Sequence, residues 1–404
     1  MFSLSASLVS VPDFMNIAKN CTFVDIGHSA QFLPEDGPSR LPRAPKRKRP
    51  QQFWQAFDDK ALFYDCFWHI DGERVLLIGP PALNLQTHFD AAQFVANPSG
   101  QVLSPRFEPT RSMLWTEFRN VPKGTTDIGL KFAGLDFAIP VQPNQADNFA
   151  GTNLILTMNK NNALDWILHW LDWHVKLHSA NAVLIFDNGS DAYSNEDLKA
   201  AIAAVDGITT AAIVSWPYSY GPFDPAVLFH PHWANFLQMA SINMAFRRLA
   251  AQANAILNCD VDELVGREGT TNVFDAARQS PDGLVTLKGQ WVESAVSEDE
   301  KAFPAHLGYR YRHRNPLRAI CANKWCLDPS RDWLSPLSVM PNVHRIYGVP
   351  KTMGRNAPTN PFWHFKAINT NWKTNRRQGD ESVSRHHRRL DSLDRAVESY
   401  LVAD

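Results

Sequence analysis

Long apolar runs are missing from this 404-residue chain. No stretch reaches the roughly 18 to 20 uninterrupted apolar residues that a membrane-spanning helix needs. The stretch from Met1 to Val11 has no basic leader, long apolar core or small-residue cleavage site, so the chain reads as soluble and non-secreted. Cysteine is scarce. The five residues Cys21, Cys66, Cys259, Cys321 and Cys326 form an odd set without paired metal-type spacing, which predicts reduced thiols and a cytoplasmic setting. Charge of either sign is not in excess: 40 Lys and Arg against 41 Asp and Glu give a formal net charge of −1. Such a balance argues against nucleic acid or an anionic membrane as the main partner and for a small or neutral substrate.

The length allows two or three domains. Residues 1–50 read as an N-terminal segment ending in the basic run Arg43-Ala44-Pro45-Lys46-Arg47-Lys48-Arg49-Pro50, a solvated linker or a contact for anionic lipid or an acidic partner. Over residues 51–148, short apolar pieces broken by prolines predict a small β-rich domain. From 149 onward strand and helix alternate: a strand at Leu154 to Thr157, a helix over 163–178, a strand at Asn181 to Phe186, a helix over 196–205, a strand over 211–216, and a long helix over 233–252. This βα repetition predicts a Rossmann-like, mostly parallel sheet with helices on both faces. Residues 381–404 read as a polar C-terminal helix whose basic cluster, Arg385 to Arg389, is solvated.

The chemistry concentrates in Ala255-Ile256-Leu257-Asn258-Cys259-Asp260-Val261-Asp262-Glu263-Leu264. An apolar strand ending in two aspartates one residue apart places both carboxylates on the same side. Converging carboxylates suit a hard divalent cation, Mg²⁺ or Mn²⁺, and a cation there suits a diphosphate. On a sheet of this kind ligands bind beyond the carboxyl ends of the strands, so Thr157, Asn159, Asp187, Trp216 and Asp260 are expected to meet in one crevice.

Several segments in order resemble nucleotide-sugar glycosyltransferases with the A-type fold, of the family 2-like and family 92-like kinds: Asn159 before the helix that starts near Asp165; Phe186-Asp187-Asn188-Gly189-Ser190; Gln238 with Asn243; Asp260-Val261-Asp262-Glu263-Leu264; Lys324 followed by His344; and His364-Phe365 with Arg377-Gln378-Gly379. The resemblance spans about 151–380. It departs at Met158-Asn159-Lys160, where the family usually carries Arg-Asn-Glu, and at Phe365, where Tyr is common.

This likeness implies a metal-dependent transfer of a sugar from a nucleotide diphosphate sugar, a UDP-sugar foremost, to a glycan or lipid-linked acceptor, as in polysaccharide biosynthesis. It implies a division of 149–380 into a nucleotide-binding half, 149–265, and an acceptor half, 266–380, with Asp260, Asp262 and His364 as metal ligands. Donor contacts would come from Thr157, Asn159, Asp187, Gln238, Asp260, Lys324 and Arg377. An inverting transfer needs a carboxylate to take the acceptor's proton. Glu293 is the expected base because Trp291 beside it offers a sugar platform, with Glu298 and Asp299 as the other candidates. The acceptor would be met in the cytoplasm or at the inner face of the membrane, without a membrane span. Two other readings use the same residues. A nucleotidyltransferase would share the paired aspartates, but Thr157-Met158-Asn159-Lys160-Asn161-Asn162 has no glycine to cradle phosphates. A non-catalytic glycan-binding protein would keep the tryptophan platforms and need no metal.

Overall fold

The structure is a computed structural model that describes residues 21–267, 269–354, 360–370 and 380–403. Its spine is a seven-stranded sheet. The strands used below are β1 (Thr22–Phe23), β2 (Asn153–Asn159), β3 (Ala182–Asp187), β4 (Thr210–Ser215), β5 (Ala255–Asn258), β6 (Glu263–Val265), β7 (Leu284–Leu287), β8 (Gly289–Val292), β9 (Lys324–Leu327) and β10 (Phe362–Phe365). The spatial order of the sheet is β1-β4-β3-β2-β5-β9-β7. Pairing is parallel from β1 to β5 and antiparallel from β5 through β9 to β7. Strands β6, β10 and β8 form a separate three-stranded sheet beside it.

The expected Rossmann-like sheet with helices on both faces is therefore not the architecture. The molecule is mixed α/β, with one mixed seven-stranded sheet and several small, largely antiparallel sheets. The difference begins at residue 259. Up to there the linking segments hold helices α1 (Leu164–His178), α2 (Asn195–Ala203) and α3 (Phe236–Met244), and the crossovers they make are long enough for parallel pairing. Beyond it the apolar pieces are three or four residues long and separated by turn residues, so the chain returns antiparallel.

The two faces of the sheet also differ. Ile155, Val183, Ile185 and Leu257 point into a core shared with α1, α2 and α4 (Val273–Gln279). Leu154, Leu156, Leu184, Phe186 and Ile256 point the other way, against α3 and against Tyr64, Phe67, Leu76, Ile78 and Trp115 of the N-terminal unit. A β-sheet thus covers much of the face where helices were expected. That unit holds two four-stranded antiparallel sheets, Asp65–Trp68 with Val75–Gly79, Leu114–Phe118 and Arg106–Pro109, and Leu135–Pro140 with Asp127–Phe132, Gln93–Asn97 and Gln101–Leu103.

Both ends of the chain depart from the sequence reading. β1 adds an edge strand to the main sheet, so Thr22 and Phe23 of the N-terminal segment belong to the core fold. Residues His387–Arg389 pair antiparallel with Tyr311–His313, and the terminal helix α5 is shorter, Asp391–Leu401. It docks on α1 by stacking Tyr400 on Trp173, with ring centroids 5.2 Å apart. Among the described residues no helix is long and apolar enough to cross a membrane.

A buried ion pair locks the N-terminal unit onto the sheet. Arg248, just past α3, lies 2.8 Å from Asp65 and also donates to the carbonyls of Gly27 and Pro143; the side chains of the pair are 1% and 0% exposed. Removing one partner strands a buried charge. Asp65→Ala should lower unfolding stability by about 3–5 kcal/mol in urea titration, whereas Glu196→Ala, on exposed helix surface, should leave it within about 0.5 kcal/mol.

Candidate metal centre and cleft

β5 ends at Asn258, and residues 259–262 turn the chain into β6. The strand expected to carry the aspartates is thus shorter than its sequence suggests, and Asp260 and Asp262 both sit in the turn. The Glu263 amide donates to the Asp260 carbonyl at 3.0 Å, while the Asp260 amide donates to Glu263 Oε2 at 2.8 Å. These reciprocal bonds fix the turn.

The two aspartates separate in role. Lys324, the first residue of β9, places its ammonium 2.8 Å from Asp260 Oδ2 and 3.0 Å from Glu263 Oε2. Neither Lys324 nor Glu263 has appreciable exposure, at 0% and 1%. Burial alone would lower the Lys324 ammonium, but the charges of Asp260 and Glu263 outweigh it and hold it well above the usual lysine range. Burial pushes the Glu263 carboxyl up, with Lys324 opposing the shift.

Asp262 faces His364 instead. β6 and β10 pair so that Glu263 lies opposite His364, whose Nε2 is 2.8 Å from Asp262 Oδ2 and whose Nδ1 is 3.5 Å from Glu263 Oε1. One ligand atom from each of Asp262, Glu263 and His364 falls within 4.8 Å of the others. Two carboxylates and an imidazole fit Mn²⁺ better than Mg²⁺. Next to His364 in register, Trp291 of β8 packs against the imidazole with centroids 4.1 Å apart and the planes tilted by 32°. Two residues further on in each strand direction, Lys366 donates to both oxygens of Glu293 at 2.8 and 2.7 Å. The expected base therefore lies beside the cluster, in an ion pair.

Asp260, Glu263 and His364 line a cleft of about 540 Å³, with Gln238 of α3, His344, and Arg111 of the N-terminal unit. Gln238 accepts a hydrogen bond from Tyr220. The cleft is bordered by residues 220–235, a loop that starts at Gly221, where φ is +104° and a Cβ would sit 2.0 Å from the Ala234 carbonyl oxygen. Arg49 holds this loop through two bonds to buried Asp224, at 3.1 and 3.0 Å, and Arg47 donates to the Ala226 carbonyl. The basic run read as a linker is thus built into the cleft rim.

Three donor residues expected in the same crevice lie elsewhere. Asn159 donates to Asp187 at 2.7 Å and to Tyr193 at 2.8 Å, and Asp187 accepts from the Ser190 amide and hydroxyl. Thr157 is buried. None of the three lines the cleft. Trp216 is fully buried. Arg377 lies outside the described residues. Glu263 was the residue overlooked. Its signal is a carboxylate at the head of a short strand whose next residues, Leu264 and Val265, are apolar, so that it needs a partner across the strand.

Histidines grip the turn from behind. His306 donates to the Val261 carbonyl at 2.7 Å; His178 donates to the Val265 carbonyl at 3.0 Å and accepts from the Val273 amide at 3.1 Å; His174 accepts from the Val265 amide at 3.4 Å. His174 and His178 are one turn apart on α1, so that helix supports β6. Burial lowers them to about 3 and about 4. No protein-family model and no curated protein matches this chain.

These imidazoles set an acid limit. For His178 the folded value is depressed below the ordinary 6.5 to about 4, so the unfolded chain binds the proton first as pH falls. Its contribution is complete above about pH 6.5 and is lost progressively toward pH 4, amounting to about 3 kcal/mol. Urea midpoints of wild type and His178→Gln should converge between pH 7.5 and 5. Midpoints that fall in parallel would mean that His178 does not set the limit.

Proposed function

We propose that this protein is a metal-dependent glycosyltransferase that moves a sugar from a nucleotide diphosphate sugar, a UDP-sugar foremost, to a hydroxyl of a glycan or lipid-linked acceptor. The observation that carries the reading is the Asp262, Glu263 and His364 cluster at a cleft of about 540 Å³, a volume in the range of small-molecule sites. The ordered segments from Asn159 to His364 described above support it.

Asp262, Glu263 and His364 would hold the cation, which when bound supplies positive charge against the departing diphosphate. Lys324 keeps Asp260 and Glu263 in place and adds a fixed positive charge beneath the same site. Gln238 and Tyr220 present a polar wall to the donor. Glu293, held close to Lys366, takes the acceptor's proton in an inverting transfer. Trp291 packs directly on His364, with ring centroids 4.1 Å apart, which favours a catalytic role for that aromatic surface over glycan binding alone. The place of reaction is the cytoplasm, with a lipid-linked acceptor met at the inner face of the membrane.

A thermal-shift panel of UDP, GDP, CDP and ADP, each with Mn²⁺ or with chelator, tests the donor class. One nucleotide at about a hundred times its dissociation constant should stabilise the fold by about 2.7 kcal/mol. The shift should need Mn²⁺ and vanish in Asp262→Ala. No shift with any nucleotide would remove the donor assignment. With the donor known, Glu293→Gln should lower kcat by about 10²-fold or more while metal-dependent nucleotide binding persists. An unchanged kcat would place the base elsewhere.

A further inference from the structure

Three arginines from distant parts of the chain gather beside the cleft: Arg111 meets His230 in its lining, Arg43 bonds to Arg111, and Arg345 shares a second cavity with Arg111. Arg111, from the N-terminal unit, lies with Nη1 3.2 Å from His230 Nδ1. Arg43 donates to the Arg111 carbonyl at 2.6 Å, and its guanidinium lies 5.1 Å from the Trp233 ring centroid. Arg345, from the C-terminal half, lies 4.2 Å from the Tyr347 ring centroid and lines, with Arg111 and Tyr347, a second cavity of about 350 Å³; Arg111 and Tyr347 also line the main cleft. His230 is lowered by loss of hydration and then by Arg111, Arg43 and Arg345, so all three charges act on one ring.

This arrangement has no internal counter-charge. Among the described residues no carboxylate lies within 4.0 Å of Arg43, Arg111 or Arg345. Glu108, a carboxylate lining the second cavity, has Arg106 as its ion-pair partner at 3.4 Å. Like charges gathered without an anion repel one another, and unconstrained side chains would swing apart into water. Here the Trp233 and Tyr347 rings hold two of the guanidiniums, each of which uses one Nη2 bond inside the protein, Arg43 on the Arg111 carbonyl and Arg345 on the Tyr347 hydroxyl at 2.8 Å, and keeps further N–H donors for a ligand. Clustered arginine forks match the oxygens of a phosphoryl group.

We infer that Arg43, Arg111 and Arg345, with His230, form a binding site for a phosphoryl group at the cleft mouth, apart from the Asp262 cluster. The ligand is a phosphate ester, either in solution or on a lipid headgroup. The apolar side chains next to the site bear on the second source, since Leu228 and Phe229 are 81% and 91% exposed on the same loop as His230. The inference stands whether or not the donor is a nucleotide sugar, because it uses none of the metal-cluster residues.

The test uses the full chain with chelator present, so that the cation cluster is silent. Inorganic phosphate is titrated calorimetrically, and in parallel the protein is floated with phosphatidylcholine vesicles with and without phosphatidate. Wild type should bind in at least one arm. Arg345→Gln and Arg111→Gln should each weaken binding about tenfold, and Arg345→Lys less. Circular dichroism checks folding, and Arg345→Gln serves as the main variant because its side chain is on the surface. Binding of free phosphate that the variants lose supports a soluble phosphate ester. Binding of phosphatidate vesicles alone, lost in the same variants, supports a lipid headgroup. No binding in either arm, or equal binding by wild type and variants, overturns the site.

Discussion

A lysine ammonium withdrawn from water costs several kcal/mol unless carboxylates meet it at close range, and here the geometry of the cleft floor follows from meeting that need. Lys324 comes in on β9, so β9 has to lie antiparallel beside β5, and the turn from Cys259 to Asp262 has to bring Asp260 and Glu263 over the ammonium. Asp260 is thereby committed to Lys324. Glu263, fixed by the same contact, turns its other oxygen toward His364, and Asp262 closes the group from the opposite side. The grouping of Asp262, Glu263 and His364 thus follows from satisfying one buried charge. α1 then supports the turn through His174 and His178, which serve only as neutral hydrogen-bonding groups.

The N-terminal unit belongs to the same construction. Arg248 and Asp65 join it to the sheet, Arg49 and Asp224 join the basic run to the cleft loop, and Arg111 reaches the cleft mouth from it. A cleft with one wall from each part of the chain gives residues 21–148 a direct share in what is bound.

Sequence periodicity disclosed a good deal of this. The helix expected over 163–178 is Leu164–His178, and the strands ending at Asn159, Asp187 and Ser215 are present. Such segments are long enough for their own pattern to decide them. What stayed hidden was non-local. The antiparallel return of β9 depends on a pairing across 60 or more residues, and strands of two to four residues carry too little periodicity to announce their partners. Asp-x-Asp spacing drew attention to this turn, but not to Glu263, which the strand pairing sets beside Asp262 and His364 while Lys324, far away in sequence, contacts Asp260 and Glu263. The run from Arg43 to Arg49 has the composition of a solvated linker, and only the buried position of Asp224 reveals otherwise.

The most direct test of this account is a Mn²⁺ titration followed by electron paramagnetic resonance, in which free Mn²⁺ gives the signal and bound Mn²⁺ does not. Wild-type protein should remove about one equivalent of signal, His364→Ala and Asp262→Ala should remove little, and Asp260→Asn should still bind. Full binding by His364→Ala, with loss confined to Asp260→Asn, would contradict the assignment of the cation to Asp262, Glu263 and His364.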